Sequence, residues 1–390
     1  MEADLKNGRN SGKRQIFNLG ELFCGPGGLA LGAARARVFS KGITYGIEHA
    51  WASDYHLDTC ETFRHNIASK NPDSVICGDV RKLDIRNLPS INAFAYGFPC
   101  NDFSIVGEQK GFDGKFGPLY SYGIKILEHF KPVFFVAENV GGIRSANEGG
   151  AFKKILEDFK NAGSGYTLTA HFYKFEEYGV PQTRHRVIIV GIKRSLGLNF
   201  NVPAPTTLEE PVSAREALEN PPIPDGALNN EETAQSKSVI ERLKYIKPGE
   251  NAWTADMPLK LRLKVKNARL SQIYKRLHPD KPAYTITGSG GGGTHGYHWK
   301  YNRALTNRER ARLQTFPDNF IFKGSKESVR RQIGMAVSPR MAEIIFKSVL
   351  KTIAGIKYPS IEANLNHLLD IDDEPLFVSS IVRDPNLITI

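Results

Sequence analysis

The chain has 390 residues, 41% of them hydrophobic and 24% charged, and these proportions exclude a disordered chain. Lys and Arg number 52 against 41 Asp and Glu, and the net charge of +11 favours a polyanionic partner, although many basic proteins bind none. No run approaches the roughly 18 uncharged apolar residues of a membrane span, and the polar N-terminus lacks the apolar centre of a signal peptide. We expect a soluble intracellular protein without a membrane segment.

Short β-rich runs alternate with amphipathic stretches from residue 16 to residue 193. The strand-like runs IFNLGELF, ITYGIEHAWAS, AFAYGF and VFFVAENV are each followed by a helical pattern, and YTLTAHFYKF and HRVIIVGI end the region. The alternation predicts an α/β fold whose sheet is mainly parallel, with helices on both faces and an antiparallel edge. Such sheets bind ligands outside the carboxyl ends of their strands.

After residue 200 the pattern changes to proline-rich linkers and the basic segment LKLRLKVK, which predicts a second, smaller domain. The strict period of two in that segment predicts a half-buried strand with its cations on one face. Glycines cluster in TGSGGGGTHG, and LTNRERARLQTF and SPRMAEIIFKSVLKTI predict the last helices. The arginines of the first of these helices either contact phosphate or pair with Glu309.

A glycine turn joins the first predicted strand to the first helix in LGELFCGPGGLALG. Gly25, Gly27 and Gly28 leave amide groups at the helix start free for a ligand. Asp54, with Tyr55 beside it, and Asp79 end the next two strands, where they could accept from a ribose and an adenine amine. Taken singly, Asp54 could be a helix cap and Asp79 a turn residue; together they predict an adenosine site. The turn lacks the order GxGxxG and the GK[ST] of a phosphate loop, which favours S-adenosyl-L-methionine over NAD or ATP.

Four cysteines, Cys24, Cys60, Cys77 and Cys100, form no CxxC pair, which predicts free thiols in a reducing compartment and no metal site. Cys100 differs from the others because it follows Pro99 at the end of a predicted strand, before a glycine-punctuated stretch that we interpret as a lid. Glu138 ends a neighbouring strand. In PQTRHRVIIV, the alternate residues Gln182, Arg184 and Arg186 project on one side, so that Arg186 could hold a carbonyl oxygen.

These blocks together resemble the DNA (cytosine-5)-methyltransferases of bacterial restriction-modification systems. The resemblance rests on FCGPGG, GFPCNDFS, ENV, QTRHR, RALTNRERARLQTFPD and the closing GMAV, in the order typical of that family, over residues 16–193 and 282–350. It implies a Rossmann-like S-adenosylmethionine-dependent sheet with a target-recognition domain. It also implies methyl transfer to C5 of a flipped cytosine in a specific duplex DNA sequence, without a metal and with S-adenosyl-L-homocysteine as product.

The resemblance gives each catalytic position a role. It implies that the Cys100 thiolate adds to cytosine C6, that Glu138 binds N3, that Arg186 holds O2 and that Arg184 supports the pocket. The expected cofactor residues are Phe23, Cys24, Gly25, Gly27, Gly28, Asp54, Tyr55, Asp79, Val80, Pro99, Leu119 and Val337. The expected DNA-binding residues are Asn101, Ser104, Gln109, Lys110, Lys260, Arg262, Lys264 and Lys266, the last four through phosphates in preference to a solvated face.

Two positions depart from the family pattern. Asn101 stands where the family commonly has Gln, and Met335 stands where it has Asn in Gly-Asn-x-Val. The second change puts one polar interaction on the cofactor side in doubt.

The expected domains are a polar tail (1–15), a discontinuous catalytic domain (16–200 plus 330–358), a target-recognition domain (201–329) and a C-terminal extension (359–390). We expect a monomer in the bacterial cytoplasm, associated with the nucleoid, with a cognate restriction endonuclease that forms no stable complex.

An RNA cytosine-5 methyltransferase stays open as an alternative function but is disfavoured by the basic second domain. A catalytically impaired DNA-binding relative is favoured by Met335 and opposed by the intact Cys100, Glu138 and Arg186. An NAD-dependent oxidoreductase is the third alternative.

Overall fold

The computed structural model describes residues 13–99, 119–264, 270–288, 290 and 293–369, with the backbone alone for 145–148. Its strands are β1 (Lys13–Leu22), β2 (Arg37–Ser40), β3 (Ile43–Asp54), β4 (Val75–Cys77), β5 (Ala93–Gly97), β6 (Phe134–Val140), β7 (Tyr166–Lys174), β8 (His185–Lys193), β9 (Val202–Pro203) and β10 (Ser360–Ile361). Its helices are α1 (Gly28–Arg35), α2 (Leu57–Asn66), α3 (Tyr120–Phe130), α4 (Gly150–Asn161), α5 (Ala214–Glu219), α6 (Lys237–Leu243), α7 (Asn307–Leu313), α8 (Lys326–Met335) and α9 (Pro339–Ile353).

The central sheet has the order β2-β3-β1-β5-β6-β8-β7, with β4 paired to β3. Strands β1, β3, β4, β5 and β6 run parallel, whereas β8 lies antiparallel between β6 and β7. The predicted parallel sheet and its antiparallel edge are therefore confirmed. The short antiparallel strand β2 at the opposite edge was not predicted.

Helices cover both faces of the sheet because each presents one apolar stripe to it. In α4, Phe152, Ile155, Leu156 and Phe159 are buried at the i, i+3, i+4, i+7 spacing of a helix face. On the other face, α1 and α9 share a core with the sheet, in which Leu29 and Met341 are buried. The amphipathic pattern in the sequence thus becomes two apolar layers, one on each side.

Helices α1 and α9 approach closely through glycines. A Cβ atom on Gly32 would lie 2.4 Å from the Cβ of Ala342, and one on Gly28 would lie 2.0 Å from the carbonyl oxygen of Val337. Only glycine allows backbones to come this near. The end of the chain therefore returns to the first glycine turn.

Residues 201–336 form two further apolar clusters with little regular structure. One cluster joins α5, α7 and α8 and packs against Leu31 and Ile67 of the sheet region; the other surrounds Leu243, Tyr274 and Tyr297. Serines cap three helices that sequence reasoning missed: Ser213, Ser236 and Ser325 accept hydrogen bonds from backbone amides at the starts of α5, α6 and α8.

The predicted strand in LKLRLKVK is wrong for its described part. Leu259–Leu261 is a single 3₁₀ turn after Pro258, and Arg262 Nε donates back to the Met257 carbonyl at 3.1 Å. Residues 259–264 pair with no neighbouring strand, so the alternation only places Leu261 and Leu263 against the second cluster and leaves Lys260, Arg262 and Lys264 exposed. Lys266 lies outside the described residues.

The segment after residue 358 packs against the sheet region. Strand β10 pairs with β9, and the side-chain carbonyls of Asn364 and Asn366 accept from the amides of Phe172 and Ala170 on the edge strand β7. None of the helices in the described part of the chain is long and apolar enough to cross a membrane.

Candidate active site

A cavity of about 680 Å³ opens at the carboxyl ends of β1, β3, β5 and β6. One part is lined by the glycine turn after β1 and by the ends of β3 and β4, including Gly25, Asp54 and Asp79. The other part is lined by Glu138, Arg184 and Arg186. Several residues predicted to hold a cofactor thus share one space with Glu138, Arg184 and Arg186, which were predicted to hold a base.

The glycine turn depends on left-handed backbone. Gly25 and Gly27 have φ of +55° and +102°, and Phe23, the first residue after β1, has φ of +52°. A Cβ on Gly25 would meet no atom within 4 Å, because the residue faces the open cavity. At Gly25 the turn therefore presents backbone, without a side chain, to a ligand.

Asp54 ties this turn to the next strand. Its Oδ2 accepts from the Gly25 amide at 3.0 Å and its Oδ1 from the His56 amide at 3.1 Å. Burial raises the pKa of this carboxyl, and the two amide bonds oppose the rise. Each carboxylate oxygen keeps a further lone pair, so the group can still accept from a ligand hydroxyl.

Glu21 is a buried carboxyl beside this turn. Glu21 is only 1% exposed, and neither of its carboxylate oxygens has a hydrogen-bond partner in the described structure. Burial, followed by the charge of Asp54, raises the pKa of Glu21 well above its ordinary value. Sequence reasoning missed this residue, although it precedes the glycine turn directly in the quoted block.

Asp79 is engaged by its neighbour Arg81. The Arg81 Nε lies 2.9 Å from both carboxylate oxygens, and the Arg81 amide donates to Oδ1 at 3.0 Å. The Arg81 side-chain hydrogen bond lowers the pKa of Asp79 to about 2. Asp79 therefore caps a 3₁₀ turn, as its turn interpretation expected, and also lines the cavity with Arg81.

In the other part of the cavity, side chains from the neighbouring strands β6 and β8 form an ion pair. Arg186 Nε lies 3.0 Å from Glu138 Oε1, and both side chains are mostly buried. Gly97, paired with Glu138 in the sheet, makes room: a Cβ there would lie 3.3 Å from Glu138 Oε2. A carboxylate and a guanidinium therefore meet at the cavity wall.

Arg184 is buried almost completely and binds backbone from distant segments. Its Nη1 donates to the Ile286 carbonyl at 3.3 Å and its Nη2 to the Ala336 carbonyl at 2.9 Å. Burial, followed by the charge of Arg186, lowers its pKa well below the ordinary value. Arg184 thus joins the chain just before β8 to the segments that precede α7 and follow α8, and its role in supporting a base pocket stays a prediction.

Asn139 fixes the chain just before Cys100. Its Nδ2 donates to the Phe98 carbonyl at 3.3 Å, and Pro99 lines the cavity. Cys100, Asn101, Ser104, Gln109 and Lys110 lie outside the described residues, so their expected roles stay predictions.

Twelve cofactor positions were predicted, and eight of them line the cavity: Phe23, Gly25, Asp54, Tyr55, Asp79, Val80, Pro99 and Leu119. Cys24, Gly27, Gly28 and Val337 lie beneath it and shape the turn and the α1–α9 contact. Met335, which is 67% exposed, lines the cavity with Gly334. Among the described residues no group of three or more His, Cys, Asp or Glu could hold a metal ion.

A sheet of this order with a cavity at its carboxyl edge defines a Rossmann-like methyltransferase fold. It superposes with a TM-score of 0.65, at 25% identity, on a crystal structure described as a DNA modification methyltransferase encoded within an E. coli prophage, covering 86% of this chain and 99% of that one. Residues 17–351 match the model of the family described as C-5 cytosine-specific DNA methylase.

Curated relatives agree with the family model. The Type II methyltransferase M.BbvI of Brevibacillus brevis is 60% identical over 89% of this chain and 94% of its own length. The Type II methyltransferase M.NgoFVII of Neisseria gonorrhoeae is 41% identical over 87% of each chain. The chain belongs to the C-5 cytosine-specific DNA methylases and is a DNA cytosine-5 methyltransferase.

Proposed function

We propose that this chain transfers a methyl group from S-adenosyl-L-methionine to C5 of a flipped cytosine in a specific sequence of duplex DNA, through a covalent bond between Cys100 and cytosine C6. One observation carries the proposal: the glycine turn with Asp54 and the Glu138–Arg186 pair line the same cavity. Methyl transfer requires donor and acceptor to share one enclosed space.

The cofactor part of the cavity suits an adenosine that carries a sulfonium amino acid. Asp54 would accept from the ribose, Tyr55 would stack on the purine, and Val80 with Asp79 would face the adenine edge. The open backbone at Gly25 fits a ligand with hydrogen-bonding groups at the turn. The bound cofactor would supply an electrophilic methyl group.

The base part of the cavity suits a cytosine ring. Glu138 would hold a proton at N3 and Arg186 would donate to O2, so that both stabilise the charge that develops in the ring. Arg184 would act through structure, because both of its terminal nitrogens bind backbone carbonyls. Cytosine is stacked in a duplex, and flipping it costs roughly a few kcal/mol that DNA contacts must supply.

Cys100 would supply the nucleophile. Its thiolate adds to C6, which makes C5 nucleophilic enough to accept the methyl group; loss of the C5 proton then lets the sulfur leave. An ordinary thiol with a pKa of about 8.5 is only slightly ionised at neutral pH, so nearby donors must favour the thiolate. The proposal gains support from Pro99, the residue before it, which lines the cavity.

The biological setting follows from the relatives. M.BbvI and M.NgoFVII are named Type II methyltransferases, from which we infer that this chain protects DNA from a cognate restriction endonuclease without binding it stably. Residues 201–329 would form the target-recognition domain, with Lys260, Arg262, Lys264 and Lys266 on phosphates. A monomer, associated with the nucleoid of a bacterial cytoplasm, completes the proposal.

Bisulfite sequencing of plasmid DNA incubated with the purified protein and S-adenosyl-L-methionine tests this function. Protected cytosines within one short recurring sequence are expected, and Cys100→Ala should abolish them while DNA affinity stays nearly unchanged. A parallel incubation with transfer RNA shows whether the protein methylates RNA, as the alternative of an RNA cytosine-5 methyltransferase requires. Methylation of RNA alone contradicts the substrate, and activity in Cys100→Ala contradicts the nucleophile.

A further inference from the structure

Helix α8 lies between three parts of the molecule. On one side, the Gln332 side-chain oxygen accepts from Thr62 Oγ1 of α2 at 2.7 Å, deep in the protein. Its C-terminal residues, Gly334 and Met335, line the cavity. A third side faces the glycine-rich segment, residues 287–296, of which 287, 288, 290 and 293–296 are described. One short helix thus touches α2, the cavity and this segment.

Arg330 on α8 directs its guanidinium at the glycine-rich segment. Nη2 donates to the Gly290 carbonyl at 3.2 Å, and Nη1 lies 3.3 Å from His295 Nδ1. Because arginine only donates, His295 Nδ1 is the acceptor in this contact. Arg330 is only 9% exposed, and burying a charged group is costly unless it is hydrogen-bonded. Its position is therefore specified by the segment that it binds.

The backbone of the segment lies directly on this helix. A Cβ on Gly290 would come within 2.5 Å of Arg330 Nε, and a Cβ on Gly334 would come within 2.0 Å of the Gly288 amide nitrogen. Glycine at these positions permits the approach. The next helical residue, Met335, lines the cavity.

We propose that Arg330 is a positioning residue for DNA recognition: it holds the glycine-rich segment, through Gly290 and His295, in the conformation that binds the target sequence. The inference rests on the proposed function, in which residues 201–329, including this segment, form the domain that recognises duplex DNA. Arg330 is not among the residues that line the cavity. It acts by reducing the conformational freedom that the segment would lose on binding.

The test uses the full-length protein, S-adenosyl-L-methionine, and two duplexes that differ by one base pair within the sequence found by bisulfite sequencing. Arg330→Met should raise KM for the cognate duplex about tenfold, the effect of one lost hydrogen bond from a charged donor. The kcat at saturating DNA and the Kd for the cofactor should stay within about twofold, because neither site contacts Arg330. The ratio of kcat/KM between the two duplexes should fall.

Two further variants keep the test independent of folding defects. Gly290→Ala leaves the charge in place but pushes the guanidinium aside, and it should reproduce the rise in KM. Arg330→Lys, which retains one donor, should recover part of the loss. Arg331→Met, on the exposed side of the same helix, is the matched control and should leave the discrimination ratio unchanged.

The possible failures are distinguishable. If the wild-type protein methylates no DNA, the proposed function fails. If it methylates its sequence and Arg330→Met or Gly290→Ala lowers the melting temperature while KM for DNA and discrimination stay at wild-type values, Arg330 is merely structural and the inference is overturned.

Discussion

The Nε of Arg186 lies 3.0 Å from Oε1 of Glu138, across the antiparallel pair of strands β6 and β8. The pairing is possible because Arg186 faces Val140, two residues beyond Glu138 on the same strand, and because Gly97 leaves space for the carboxylate. Each group is therefore held by the other before a base arrives. Such preorganised charge is worth more to a reaction than charge that must be oriented during it.

Replacing Arg186 should damage catalysis far more than folding. Arg186→Met removes the donor proposed for cytosine O2 and leaves Glu138 without its partner, so kcat/KM should fall by roughly a hundredfold to a thousandfold. The unfolding free energy should fall less than in Arg184→Met, because Glu138 lines the open cavity, where water can reach the carboxyl once its partner is removed. Methyl transfer to duplex DNA and denaturant unfolding measure the two effects.

Arg194→Met, at an exposed position after β8, is the matched control and should keep nearly full activity. A fall in kcat/KM of less than about threefold in Arg186→Met would show that Arg186 does not hold the base.

Replacing Arg184 should damage folding more than replacing Arg186 does. Arg184→Met removes the donor to the Ile286 carbonyl and one of the two donors to the Ala336 carbonyl, and we expect the unfolding free energy to fall by about 3 kcal/mol. Denaturant unfolding checks this, with Arg186→Met as the internal comparison. Equal stability of the two variants would contradict the supporting role.

Gly28 should tolerate no side chain. A Cβ there would lie 2.0 Å from the Val337 carbonyl oxygen, so Gly28→Ala must separate α1 from the start of α9. We expect a loss of more than about 2 kcal/mol of unfolding free energy. Gly150→Ala, at the start of α4 with no atom within 4 Å of the new Cβ, is the control and should be neutral or slightly stabilising. Thermal unfolding that ranks the two variants the other way refutes this packing argument.

Two buried histidines should make the protein less stable in acid. His171 and His298 each accept a backbone amide at Nδ1, from Asn364 and Lys300, and burial lowers the pKa of both to about 4. An unfolded histidine has a pKa of about 6.5, so the unfolded chain binds more protons between about pH 6.5 and pH 4. The unfolding free energy should therefore be fully retained above this range and fall as pH drops through it, by up to about 1.4 kcal/mol per pH unit for each histidine.

Chemical denaturation at several pH values measures this slope. In His171→Gln the slope should be smaller than in wild type, because unfolding then takes up about one proton fewer. His65→Gln, an exposed position on α2, should leave it unchanged. An unaltered slope in His171→Gln would mean that His171 is not neutral in the folded state.

The sheet could be predicted because each of its long strands carries its own local signal. The apolar runs of β1, β3, β5 and β6 and the apolar stripe of α4 are visible in a single stretch of sequence. The strand expected in LKLRLKVK failed for the complementary reason: alternation needs a neighbouring strand, and residues 259–264 have none. Local pattern specifies a face, and only tertiary pairing makes that face a sheet.

The arginines show a second limit of sequence reasoning. Arg184 and Arg186 are two residues apart and were expected to project on one side, yet Arg184 binds carbonyls from residues far along the chain and Arg186 pairs with Glu138. The arginines before and within α7 could have contacted phosphate; instead Arg303 pairs with Glu309 and Arg312 with Asp318. Which partner a guanidinium meets depends on long-range packing that spacing does not contain.

The close contact between α1 and α9 has a consequence for how the protein is made. A ribosome releases the glycine turn, Asp54 and the Glu138 strand early, but Gly334, Met335 and the helix that covers α1 emerge only after residues 201–329. Until then the apolar face of α1 has nothing to cover it, and the nascent sheet is prone to aggregation. We therefore expect cofactor binding only in a chain that already contains the segments proposed to read DNA, so that an interrupted translation product would carry no unselective methylating activity.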